Sequence, residues 1–103
     1  MSTEELISAS DFCAYHQVEL SFVQHLHDSG LIVLTIRDGS FFLSPGELPA
    51  LEKFSRWFYE LEINTPGIEA LSHVLDRMEA LLEENRMLRN KLHVHGPDRN
   101  AEI

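Results

Sequence analysis

From Pro66 to Leu92 the chain has no helix breaker apart from Gly67 near the start. Thr65 is placed to cap and Pro66 to open one continuous helix, about 40 Å long at 1.5 Å per residue. Leu71, Met78, Asn85 and Leu92 fall on one position of a seven-residue repeat, and Val74, Leu81 and Leu88 on the other. Spacings that alternate three and four put all seven on one stripe, the pattern of a coiled-coil seam. Asn85 is polar in that seam, where such a residue lowers stability but fixes register and partner number. The stripe either packs on the chain's own domain or meets a second copy. The remaining 60 or so residues cannot cover so long a rod, so a homodimer is expected. In a parallel pair Glu84 could reach Arg89 of its mate, an antiparallel pair would match residues differently, and the sequence leaves the direction open.

The rest of the chain is a small head of alternating short elements. Ser8 with Asp11 three residues on marks a helix start, and the helix is expected over residues 9–15. Phe12 and Cys13 supply its apolar side, with Tyr15 as a further candidate. Gln17-Val18-Glu19 reads as the turn into a second helix over residues 19–29, in which Phe22, Val23 and Leu26 share a face. Gly30 suits a left-handed helix end. Asp38-Gly39 between two apolar runs predicts a hairpin, with strands over residues 33–36 and 41–43. Ser44-Pro45-Gly46-Glu47 has the composition of a helix N-terminus. The third helix is expected over residues 45–61, with Leu48, Leu51, Phe54, Phe58 and Leu61 as its buried stripe and Trp57 beside it.

Two short helices, a hairpin and a third helix in that order predict a mainly α chain with a winged helix-turn-helix head. Residues 1–63 would form the head, 64–92 the dimerisation helix and 93–103, with Gly96-Pro97-Asp98, a flexible tail. A winged helix usually grips DNA, and DNA affinity comes mostly from cations that neutralise phosphates. Residues 1–36 contain no Lys or Arg, while carrying Glu4, Glu5, Asp11, Glu19 and Asp28. The whole chain has 17 acidic and 8 basic residues, a formal net charge of −9. That balance disfavours nucleic acid and anionic membrane and favours a basic protein partner. On the second helix only Gln24 among the exposed positions could read a base edge. Arg37, Lys53 and Arg56 are the cations of the head.

Nothing local supports catalysis or a cofactor. The single cysteine, Cys13, excludes an internal disulfide and suits a reducing compartment. It has no glycine-rich elbow or oxyanion loop beside it, and a buried structural thiol is the simpler reading. His25 and His27 lie two apart on a helix and point about 200° apart, so they cannot share a metal ion unaided. Cys13 with His16, and His93 with His95, have chelating spacing but too few ligands. No signal peptide or membrane span is visible. A cytoplasmic non-enzyme without metal or cofactor is expected.

The order of parts from Ser8 through the hairpin and the Ser44-Pro45 helix start to the long terminal helix resembles the MerR-like winged-helix superfamily. That superfamily usually carries an Arg-x-x-Arg-x-Tyr-Glu pattern before a Gly-Leu-Leu helix end. Aligned on Gly30-Leu31-Ile32, the arginine places hold Ser21 and Gln24, and the aromatic and acidic places hold Leu26 and His27. A closer resemblance is to the chaperone-modulator (CbpM-like) branch. It is carried by Phe22-Val23, by the run Leu61-Glu62-Ile63-Asn64-Thr65-Pro66-Gly67-Ile68-Glu69-Ala70, and by Leu88-Arg89-Asn90-Lys91-Leu92, within residues 5–92. The resemblance implies a bacterial cytoplasmic protein that binds the J-domain of a DnaJ-like co-chaperone of the CbpA type. It implies inhibition of that co-chaperone's stimulation of Hsp70 and of its DNA binding. The alternative is a MerR-like transcriptional regulator that binds DNA.

Candidate contacts to a J-domain are acids, since a J-domain presents a basic helix to Hsp70. Glu19 and Asp28, with the wing, form one candidate surface. Glu47, Glu52, Glu60, Glu62 and Glu69 form another, with Glu60 and Glu62 flanking an apolar helix end.

Overall fold

The computed structural model describes residues 5–95. The chain divides into two compact units, Met1–Glu69 and Ala70–Ile103. In the first, a two-residue strand β1 (Ile7–Ser8) leads into α1 (Ala9–His16). The Ser8 hydroxyl accepts the Asp11 amide at 3.2 Å, as the cap spacing predicts. Strand β1 is absent from the sequence expectation, because two residues are too few to show an alternation.

Helix α1 ends on Gln17, a non-glycine residue in the left-handed region at φ 58. The Val18 amide then bonds the Cys13 carbonyl at 3.0 Å. Phe12 and Cys13 are buried, but Tyr15 is 84% exposed and contributes nothing to the core. Helix α2 (Leu20–Asp28) buries Phe22, Val23 and Leu26, the expected face. It closes with the Gly30 amide on the His27 carbonyl and the Leu31 amide on the Leu26 carbonyl. This is the paired bonding of a Schellman cap, which needs a left-handed residue between them. Gly30 supplies it at φ +79, and a Cβ there would meet no atom within 4 Å. Gly30→Ala is therefore expected to cost only the backbone strain, about 1 kcal/mol, read as a lower denaturant midpoint with an unchanged m-value.

Strands β2 (Thr35–Arg37) and β3 (Ser40–Leu43) pair antiparallel, with Arg37 opposite Ser40. Asp38 at φ 52 and Gly39 at φ 76 form the two-residue turn with both residues left-handed. β1 adds on the other side of β3, giving the order β1-β3-β2. The wing is thus a three-stranded sheet rather than a lone hairpin.

The Ser44-Pro45 signal yields a 3-10 turn, Pro45–Glu47, and not the first turn of an α-helix. Ser44 makes no side-chain cap bond. Pro49 explains the change: in a continuous helix its ring would strike the carbonyl of Pro45 four residues back. Helix α3 (Leu48–Tyr59) starts only at Leu48, with proline in its first turn. It also ends early. Leu61 lies beyond it and is 62% exposed, so it is not part of the buried stripe, which keeps Leu51 and Phe54 buried and Leu48, Trp57 and Phe58 partly buried.

Helix α4 (Thr65–His95) is a single rod of 31 residues. Its cap is Asn64, not Thr65: the Asn64 side-chain oxygen accepts the Gly67 amide at 2.8 Å. Gly67 is required by space, since a Cβ would come within 2.9 Å of the Ile63 side chain. Ile68, the next residue, is fully buried in the core of the first unit with Val23, Leu26, Leu43 and Leu51. The expected tail lies outside the described residues from Gly96 onward, while His93–His95 continue the helix.

In the second unit the expected seam is largely open. Val74, Met78, Leu81, Leu88 and Leu92 are 50–70% exposed, Leu82 and Met87 as much, and Leu71 is half-buried. The Asn85 side-chain oxygen accepts a bond from Arg89 at 3.2 Å, and Arg86 pairs with Glu83. Among the described residues no helix is long and apolar enough to cross a membrane.

Candidate functional site

The head carries its charge on the outside and its sign is one-sided. Residues 5–69 contain ten acidic side chains against three basic ones, Arg37, Lys53 and Arg56. Lys53 lies over the rings of Phe54 and Trp57, 5.1 and 5.4 Å from their centres, so its charge is drawn along its own helix. On α2, the helix that would read DNA, Glu19, Ser21, His25 and Asp28 are exposed and Gln24 is only half-exposed. Helix α2 itself carries no Lys or Arg.

The acids expected to meet a partner fall into a different grouping from the sequence division. Glu52 and Glu60 line one open groove of about 590 Å³ with His16, Gln17, Val18, Ser55, Arg56 and Tyr59. Two elements build it. The α1–α2 turn supplies one wall, and the outer face and C-terminal end of α3 supply the other. Glu19 belongs to this end of the head too, because its amide donates to the Tyr59 hydroxyl at 3.0 Å. Tyr59 in turn packs edge-on against Phe22 and Phe58.

Asp28 and Glu69, assigned to separate surfaces by sequence, share a second groove of about 400 Å³ with His25, Ser29, Thr65 and Pro66. Glu62 is exposed on the corner after α3, in the left-handed region at φ 57. Glu47 is half-buried, and its carboxylate accepts the Val33 amide at 3.2 Å, which ties the 3-10 turn to the segment before β2. Of the seven candidate acids, Glu47 has a plain structural task.

Sequence reasoning missed Tyr59 as a site residue. It sits one position past Phe58 on the apolar stripe, and only the meeting of α3 with the α1–α2 turn reveals its role. His25 lines the second groove, while the His27 ring nitrogen Nδ1 accepts the Leu34 amide at 3.2 Å. His16 stacks on Phe12 with ring centres 4.2 Å apart. Burial pushes the Cys13 thiol above its usual pKa, which opposes the thiolate a nucleophile needs. Among the described residues no three His, Cys, Asp or Glu side chains converge as metal ligands would.

The family is decided by a match over residues 7–90 to the MerR HTH family regulatory protein. The chain belongs to this MerR family. No curated protein and no solved structure matches it. The match spans the described helix-turn-helix, the three-stranded wing and α4 nearly to its end, so the MerR fold read from the order of parts stands.

Proposed function

We propose that this MerR-family chain is a protein-binding modulator. It holds the J-domain of a DnaJ-like co-chaperone of the CbpA type, blocking stimulation of Hsp70 and DNA binding by that co-chaperone. The observation that carries the reading is the inverted charge of the head: ten acids against three cations on a fold whose DNA-binding use depends on cations. The CbpM-like stretches, Leu61 to Ala70 above all, supply the partner's identity. A surface of this sign attracts a basic helix and repels a phosphate backbone.

The modulator acts as a homodimer through α4. Its open stripe of Val74, Met78, Leu81, Leu88 and Leu92 is the surface that a second copy covers.

The test is direct titration of the purified chain with a purified CbpA-type J-domain. Between about 0.1 M and about 1 M salt the screening length falls from about 10 Å to about 3 Å. Affinity is expected to fall on the order of tenfold, as several exposed pairs of about 0.5 kcal/mol each are screened. The family's regulator role is the competing reading. Binding of duplex DNA with no J-domain binding would establish it instead.

A further inference from the structure

The groove between the α1–α2 turn and α3 has an occupant written into its chemistry. We infer that it is the docking site for one basic amphipathic helix of the partner, and that the α2–wing face is not. This deepens the protein-binding reading above and rests on it. Three observations converge. The first is charge: Glu52 and Glu60 line the groove and Glu19 stands at the Tyr59 end, against Arg56 as its cation.

The second is exposed apolar surface at the same end. Tyr15, beside the groove residue His16 and in edge contact with its ring, is 84% exposed. Tyr59 is 41% and Leu61 62% exposed. Aromatic and aliphatic anchors ringed by polar groups are the composition of an interface centre. The α2–wing side exposes Val33 and Ile36, but the wing's Arg37 and Asp38 offset each other and add no net negative charge.

The third is rigidity. The Leu61 amide bonds the Arg56 carbonyl at 3.2 Å and the Ile63 amide the Trp57 carbonyl at 2.9 Å, while Glu62 takes a left-handed conformation. Leu61 is thereby held outward on a capped corner between Glu60 and Glu62. A partner helix that alternates apolar and cationic side chains would set its apolar stripe on Tyr15, Tyr59 and Leu61 and its cations on Glu19, Glu52, Glu60 and Glu62. The groove's roughly 590 Å³ is of the size that takes a few side chains, which suits one helix face.

Amide chemical-shift mapping on the full chain tests this with two probes. One is the purified J-domain; the other is a synthetic helical peptide with Lys and Arg on one face and Leu on the other. Shifts are expected at Gln17, Glu19, Tyr59, Glu60 and Leu61 with both. The double variant Glu52→Lys/Glu60→Lys should weaken both about tenfold or more, whereas Asp28→Lys should leave them within about twofold. Both variants are exposed substitutions, and an unchanged circular dichroism melt confirms their folding. J-domain shifts confined to α2 and the wing would overturn the groove while leaving the modulator reading intact. Peptide shifts in the groove without J-domain binding would keep the groove and remove the modulator reading. Absence of groove shifts with either probe overturns the inference.

Discussion

Leu26→Ala is expected to lower the stability of the head by about 3 kcal/mol, within the range of about 2–5 kcal/mol for deleting a buried leucine. Leu26 is fully buried on α2, and the cluster around it joins α2, β3, α3 and the first turns of α4 through Val23, Leu43, Leu51 and Ile68. A unit of this size has roughly 3–10 kcal/mol in total, so the loss is a third or more of what holds it. Urea unfolding followed by circular dichroism reads the change. A midpoint that hardly moves would mean that the core is not continuous through α2.

Leu81→Asp is expected to abolish self-association. Leu81 lies mid-stripe on α4 at 51% exposure, and a second copy would desolvate it. A carboxylate in that seam, repeated by symmetry, costs several kcal/mol through unpaired burial. Sedimentation or light scattering should show the mass of one chain, about 11.8 kDa, where the parent shows twice that. Asn85→Leu provides the opposite arm, tightening or re-ordering the association by removing the polar seam residue. A parent chain that sediments as a monomer would refute the dimer; equal masses for parent and Leu81→Asp would remove the stripe from it.

Local periodicity and turn chemistry made most of this fold legible. Phe22, Val23 and Leu26, the Ser8 cap, Gly30 and the Asp38-Gly39 turn each depend on residues within a few positions of one another. The long helix was legible for the same reason. What was not legible depends on contacts distant in sequence or on competition between neighbours. β1 exists only because Ile7 and Ser8 pair with Leu43 and Phe42. The Ser44 start lost to Pro49, a clash four residues downstream of Pro45. Asn64 outcompeted Thr65 for the cap, and Leu61 passed out of the stripe once α3 stopped at Tyr59. The same limit applies to the candidate site. The individual acids were visible as charges, but the joining of Glu52, Glu60 and Glu19 through Tyr59 spans 40 residues of sequence. The absence of cations on α2, by contrast, is a property of the string itself and needed no contact to be seen.

The most direct measurement is Hsp70 ATPase stimulation by a CbpA-type co-chaperone, titrated with the purified chain, alongside its binding to the isolated J-domain. The modulator account predicts that stimulation falls to the unstimulated rate near one chain per J-domain and that added salt weakens the binding that causes it. Full stimulation in the presence of excess folded chain, with no J-domain bound at low salt, would contradict it.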